Sequence, residues 1–334
     1  MYFRQVNRRQ FITLLGGAAA WPLAARVQQS GRMRRLGVLW VVAETDPDAK
    51  RFVEALETRL DAAGWHKGRN LEITYRWGAS EAERLGRYAN ELALSAPDVL
   101  LVLGTAALMP LQKATTTIPI VFTAVSDPVA QGFVASLAHP GGNMTGFSNF
   151  EPDIGSKWLQ LLKEIAPSVT QVAVMFNPHT SPYNALWMHS IKTAAPAFGV
   201  SAAQASVETS EDIRSTISAL GAKSGSGLIV PSDSFTYERH ALIAPLATSS
   251  RLPAVYSFSR FAHEGGLISY GIDLVEQLAK AATYIDRILK GDKAGDLPVQ
   301  GPTRYTMAIN LKAAKVLGLE IPPTLLARAD EVIE

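Results

Sequence analysis

With 334 residues, 47% of them hydrophobic, the chain has apolar material for two cores of ordinary domain size. It contains no cysteine, which excludes disulfides, thiolate metal sites, a cysteine nucleophile and a lipid-modified N-terminal cysteine. The formal charge is only +2, and no apolar run reaches the ~18 residues that a membrane-spanning helix needs.

The first 25 residues read separately from the rest. Arg8-Arg9 stands directly before an apolar stretch from Phe11 to Ala25, too short to span a bilayer and ending in small residues. This is the layout of a cleavable export signal, and the order Arg-Arg-x-Phe-Ile points to a twin-arginine one. Gly16, Gly17 and Pro22 would break a helix belonging to the fold. Removing residues 1–25 takes away three arginines and no acid, leaving 29 Lys+Arg against 30 Asp+Glu and a formal charge of −1. The basic excess therefore gives no argument for nucleic-acid binding. A chain exported without cysteine is expected free in the periplasm.

From residue 36 onward, short β-branched runs alternate with helical patterns. Strands are expected at 36–42, 71–77, 98–104, 118–125 and 143–148, with helices near 48–63, 81–95 and 106–115. In 81–95, Leu85, Tyr88, Ala89 and Leu92 share a helical face. The rhythm restarts with strands at 171–176, 201–207, 227–233 and 252–258 and helices near 183–198, 210–221 and 237–250. A strand at 267–271, a helix from an Asp273 cap to Gly291, a strand at 305–310 and a helix from Leu311 complete the chain. Continuous apolar runs, more than alternating ones, fit parallel strands covered on both faces. The fold class is α/β, with two doubly wound parallel-sheet lobes.

In such sheets ligands bind beyond the carboxyl ends of the strands. The loops there are 43–45, 104–106 and 126–128 in the first half, and 177–183, 232–234 and 257–259 in the second. Their hydroxyls and helix-terminal amides suit a carboxylate, and an Asp suits an ammonium group. Two lobes whose loops face each other make a cleft for a small zwitterion. The same Ser, Thr, Asn and Asp residues are equally helix caps, and Tyr183, Tyr256 and Tyr270 have a core reading beside a ligand one. Trp40, inside an apolar strand, reads as packing. The six His have no metal-ligand spacing, and neither a nucleophile elbow nor a P-loop occurs. The chain thus reads as a binding protein and not an enzyme, with no metal and no cofactor.

The stretches "GWHKGRNLEITYRW" (64–77), "IPIVFTAVSDPVAQGFVASLAHPGGNMTGFS" (118–148), "GLISYGID" (266–273), "GDLPVQGPTRYTMAINLKAAKVLGLEIP" (295–322) and "LLARADEVIE" (325–334) resemble periplasmic substrate-binding proteins of ABC transporters. More narrowly, the chain is similar to the family whose members bind tryptophan, tyrosine or related amino acids. The resemblance implies a type I periplasmic-binding fold, two lobes joined by a hinge of three crossings. Lobe one would be 34–149 with 266–295, and lobe two 150–265 with 296–334. It places Thr105, Ser126 and Asp127 on the cleft from lobe one, and Asn177, Tyr183, Asp233 and Tyr256 from lobe two. Thr105 and Ser126 would take a carboxylate, Asp233 an ammonium, and Tyr183 and Tyr256 the ligand's side chain. It further implies a small-molecule ligand, an inner-membrane ABC permease as partner, and a monomer. A loaded receptor that docks on a membrane sensor would use the same cleft and the same signal, and a periplasmic enzyme is the remoter alternative.

Overall fold

The computed structural model describes residues 32–149, 151 and 153–334. The export signal assigned to residues 1–25 lies outside the described residues.

Lobe one is built on a parallel sheet of β1 (Arg34–Trp40), β2 (Leu71–Trp77), β3 (Val99–Leu103), β4 (Ile120–Val125) and β5 (Met144–Ser148), in the order β2-β1-β3-β4-β5. Helices α1 (Ala49–Ala62), α2 (Ala82–Leu94) and α3 (Thr105–Ala114) connect its strands. The central strands are buried along their whole length, as their unbroken apolar runs require. The edge strand β2 is only half-buried, and its Tyr75 and Trp77 stack with Trp40, which is packing as expected. On α2, Leu85, Ala89 and Leu92 are buried and Tyr88 packs half-covered beside them.

Lobe two begins with α4 (Ile154–Ile165), then β6 (Gln171–Phe176), α5 (Asn184–Ala194), β7 (Ser201–Ser206), α6 (Ser210–Gly221) and β8 (Ser226–Val230). It continues with α7 (Ser234–Tyr237), α8 (His240–Ser249), β9 (Ala254–Tyr256), α9 (Ser259–His263) and β10 (Ile268–Gly271). Its sheet runs β7-β6-β8-β9-β10 and is extended by β11 (Thr306–Asn310) and β12 (Glu331–Ile333). Counted within each lobe, the first five strands have the same order, second-first-third-fourth-fifth, in both sheets. One pairing departs from the expected parallel pattern, because β11 runs antiparallel to β10. In β6, Val172, Val174 and Phe176 enter one core and Ala173 and Met175 the other, so this strand has both faces covered.

The helix expected near 237–250 is α8, and the one-turn α7 before it is a separate helix because Arg239 leaves helical geometry (φ −111°, ψ 19°) between them. The short α9 and the three-residue β12 carry too few residues to show a period, and the sequence reading passed over them. Helix α10 (Leu274–Leu289) is capped by Asp273, which accepts from the N–H groups of Val275 and Glu276 at 2.9 and 3.2 Å. Its buried face of Leu278, Ala281, Ile285 and Ile288 lies on lobe one, against α1 and β4.

The lobe boundaries need two corrections. Residues 266–271 belong to lobe two, because β10 pairs with β9 and β11 there; the crossing into lobe one comes only at Asp273. The return crossing lies after Gln300 and not at 296. The Leu297 carbonyl accepts from Thr145 Oγ1 at 2.6 Å and the Gln300 carbonyl from the Ser148 N–H at 2.8 Å, so both stay on lobe one. With the passage near 149–153, the backbone crosses three times.

At the second crossing, a Cβ on Gly271 would stand 1.7 Å from the Ser257 carbonyl oxygen, a backbone atom that cannot swing aside. Gly271→Ala should therefore cost about 2 kcal/mol or more of folding stability, read as a lower urea midpoint at unchanged slope. An unchanged midpoint would show that the two backbones are free to part.

Candidate functional site

Strand order reverses beside β1 in lobe one and beside β6 in lobe two, and the loops leaving these points face each other. From lobe one come Val41 and Val42 after β1, and Gly104, Thr105 and Ala106 after β3. From lobe two come Thr180 and Tyr183 after β6, and Ser232, Asp233 and Ser234 after β8. Together they line a cavity with about 40 Å³ of water-accessible space, whose remaining wall includes Leu103, Ala124, Tyr237, Phe258 and Leu274. Its lining contains no Lys or Arg.

Gly104 holds φ +89°, a backbone conformation that turns the chain sharply from β3 into α3. The N–H groups of Ala107 and Leu108 both bond to the Gly104 carbonyl. Those of Thr105 and Ala106 have no partner among the described residues, and both residues line the cavity, so an acceptor at the helix start would be held there. Thr105 Oγ1 accepts from the Ser126 N–H at 3.2 Å.

Asp233 is 2% exposed. Its Oδ2 accepts from the Asn177 N–H at 2.8 Å; its Oδ1 accepts from the Phe235 N–H at 3.1 Å and from the Thr180 hydroxyl. It is therefore a helix cap, as one reading had it. Among the described residues no cation reaches it to form an ion pair; Arg239 instead lays its guanidinium over the Phe235 ring, 3.6 Å from the centroid. Burial pushes the Asp233 carboxyl above its ordinary range, against the pull of these donors. A buried carboxylate with three neutral donors and no ion pair, with Arg239 acting on it only from a distance, is a receptor for a cationic group at the cavity wall.

Tyr183 reaches from lobe two and donates to the Ser232 carbonyl at 3.3 Å. Burial raises its hydroxyl to about 12, helped by the Asp233 charge and opposed by the hydroxyls of Ser126, Ser181 and Thr105 beside it. Other contacts across the lobes are direct and polar. Asn149 Nδ2 donates to Ser232 Oγ at 2.8 Å while its Oδ1 accepts from Ser126 Oγ at 2.8 Å. Ser80 Oγ donates to the Ser234 carbonyl at 3.1 Å, Tyr237 OH to Asp48 Oδ2 at 3.1 Å, and the Ala43 N–H to Glu238 Oε1 at 2.8 Å. The lobes are in contact, with the cavity between them.

Of the seven residues singled out from sequence, Thr105, Tyr183 and Asp233 line the cavity, and Ser126 stands one hydrogen bond behind Thr105. Asn177 is spent on its own loop, its Oδ1 accepting from the N–H groups of His179 and Thr180 at 2.8 and 3.2 Å. Asp127 closes a turn by accepting from the Ala130 N–H at 3.0 Å and does not line the cavity. Tyr256 is fully buried, stacked on Phe261 at 4.7 Å, and is a core residue. Tyr270 stacks on Tyr305 away from the cavity. Sequence reading missed Tyr237, the first residue of the helix expected near 237–250, and the apolar wall apart from the loop at 257–259 that carries Phe258. It also missed Ala124, which the irregular register of β4 against β5 turns toward the cavity with φ +54°.

The family profile of the ABC transporter substrate binding protein matches residues 37–333. The chain belongs to this family. A tyrosine-binding protein of Clostridioides difficile (strain R20291) is 27% identical over 294 residues, 87% of this chain and 83% of the relative. A conserved domain protein of Vibrio cholerae is 30% identical with a TM-score of 0.83, covering 90% of this chain and all of that one. The open, ligand-free structure of CD0873, a substrate-binding protein with adhesive properties from Clostridium difficile, is 26% identical with a TM-score of 0.67 over 90% of this chain and 99% of that one. Family membership carries a small-molecule ligand and a transporter permease as partner. The fold expected from sequence, two α/β lobes of the type I periplasmic-binding kind, is the one observed.

Burial, with the Asp46 charge, raises Glu238 from 4.5 to about 7, opposed by the Ala43 N–H and Arg239. A folded-state value above the unfolded one means that the folded chain holds this proton more tightly. The stabilisation is complete below 4.5 and is lost as pH rises through about 7. The melting temperature should fall between about pH 5 and pH 8, and Glu238→Gln should flatten part of that fall. Parallel profiles for the two proteins would take Glu238 out of the pH response.

Proposed function

We propose that this chain is the solute-capturing receptor of an ABC importer. It holds an apolar or aromatic amino compound in the cavity between its lobes and delivers it to a membrane permease. The observation that carries this reading is Asp233, a buried carboxylate at the cavity wall with three neutral donors and no ion pair. A ligand ammonium completes it. The free N–H groups of Thr105 and Ala106 take an acceptor oxygen of the ligand, and the wall of Val41, Val42, Leu103, Phe258 and Leu274 takes its apolar part. Tyr183 bridges the two lobes over the bound molecule. The C. difficile relative named for tyrosine supports an aromatic amino acid. A structure from Streptococcus pneumonia in complex with L-Trp shares the fold at 24% identity, with a TM-score of 0.82 over 90% of this chain and all of that one.

On this reading the protein binds and does not catalyse. It works as a monomer without nucleic acid, and residues 1–25 send it to the periplasm, where it stays free for want of an N-terminal cysteine. Isothermal titration with L-tyrosine and L-tryptophan, after unfolding and refolding to strip bound solute, tests the site. Asp233→Asn keeps an oxygen to cap α7 but removes the charge, and should cost about 2 kcal/mol, or roughly thirtyfold in Kd. Equal affinity in the two proteins would detach Asp233 from the ligand. Export has its own check: Arg8-Arg9 changed to Lys-Lys should abolish periplasmic accumulation, whereas normal yield would assign the signal to the general secretory route.

A further inference from the structure

Ala106 and Thr180 line the cavity and also a second hollow beside it. This groove of about 400 Å³, open to solvent, runs between α2 and α3 and has His179 and Thr180 of lobe two among its lining residues. Helix α3 turns Ala106, Met109, Pro110 and Lys113 toward it, a spacing that makes one helical face. Lys113 is exposed and has no ion-pair partner among the described residues, whereas nearby Arg84 and Arg87 are paired with Glu81 and Glu91.

Charge placement is what decides the ligand. The cavity offers one buried carboxylate and no cation. A free amino acid would satisfy Asp233 with its ammonium and set its own carboxylate on two backbone N–H groups, helped by the dipole of α3 but with no full countercharge. A neutral peptide carbonyl fits those N–H groups without that deficit, and the displaced carboxylate then belongs where the free cation is. Resting on the reading of Asp233 given above, we propose that the groove is a second subsite and that the ligand is a dipeptide with an apolar or aromatic first residue.

The lengths agree. Lys113 lies seven residues beyond Ala106, about 10 Å along the axis. Its side chain leans back toward the helix start and reaches roughly 6 Å. The remaining gap is about one extended residue, the distance between the first carbonyl of a dipeptide and its terminal carboxylate. The first side chain occupies the inner cavity, and the second residue passes between Ala106 and Thr180 into the groove.

Gly86, on the α2 wall of the groove, provides the decisive variant. A Cβ there meets nothing within 4 Å, so Gly86→Leu fills the groove without touching the cavity, and a leucine suits a helix interior better than glycine. Calorimetric titration of the stripped full chain uses L-tyrosine and L-tyrosyl-L-alanine as probes. The dipeptide should bind at least about tenfold tighter than tyrosine. Lys113→Ala should cost the dipeptide roughly tenfold, and Gly86→Leu should block it, with tyrosine binding unchanged in both and the melting temperature of Gly86→Leu not lowered. Tyrosine bound with the dipeptide weaker or absent overturns the second subsite and leaves the amino-acid reading standing. Dipeptide binding indifferent to both variants also overturns it. Neither probe bound overturns the reading of Asp233, and the second subsite with it.

Discussion

In a parallel sheet each connection covers one face, and where the strand order reverses, neighbouring connections leave on opposite faces and open a crevice between them. Both sheets here reverse beside their first strand, and the two crevices are held mouth to mouth by three passages of the backbone. Most polar groups at the cavity follow from that arrangement. Thr105 starts the helix after β3, Thr180 and Tyr183 close the loop after β6, and Asp233 caps the helix after β8. Side chains that cap helices are also ones that a ligand meets, because helix starts lie at the mouths of the two opposed crevices.

The seam between the lobes is made of short polar contacts. Backbone groups at Ala43 and Ser234 take part, with the small side chains of Ser80, Asn149 and Ser232 and the longer ones of Tyr237 and Glu238. Such groups exchange protein partners for water at little cost, so the seam can part without exposing a core. Asp233 is held differently: its donors Asn177, Thr180 and Phe235 all come from lobe two, so it keeps its geometry whether or not lobe one is present. That carboxylate is preorganised by one lobe, while the free N–H groups of Thr105 and Ala106 are supplied by the other. A ligand that uses both draws the lobes together.

Much of the architecture was legible because it depends on local signals. Unbroken apolar runs marked β3, β4 and β8, and Asp273 marked the start of α10 through its capping chemistry. The loops at the strand ends followed from the order of elements alone. What was illegible depended on direction. Tyr256 ends a strand beside a cavity-facing loop, but its ring turns into the core against Phe261, and no local pattern distinguishes the two outcomes. Asn177 and Asp127 were legible as loop polar groups, but not as groups consumed by their own turns. Tyr237 and Leu274 face the cavity only because two lobes meet there, which is a tertiary fact. The lobe boundaries drifted for a similar reason, since β10 and α10 are adjacent in sequence but belong to different lobes.

Helix α10 is the layer that covers β3 and β4 of lobe one, yet it follows every strand from β6 to β10 in the chain. During synthesis, lobe one therefore stands with part of its sheet uncovered until residue 289 has emerged, while nearly all of lobe two is already available in one continuous stretch. Lobe two waits as well, because β11 and β12, which extend its sheet, follow α10 in the chain. Lobe one waits for a helix delivered across the second crossing, and its exposed strands in that interval are where a partly made chain is most open to aggregation.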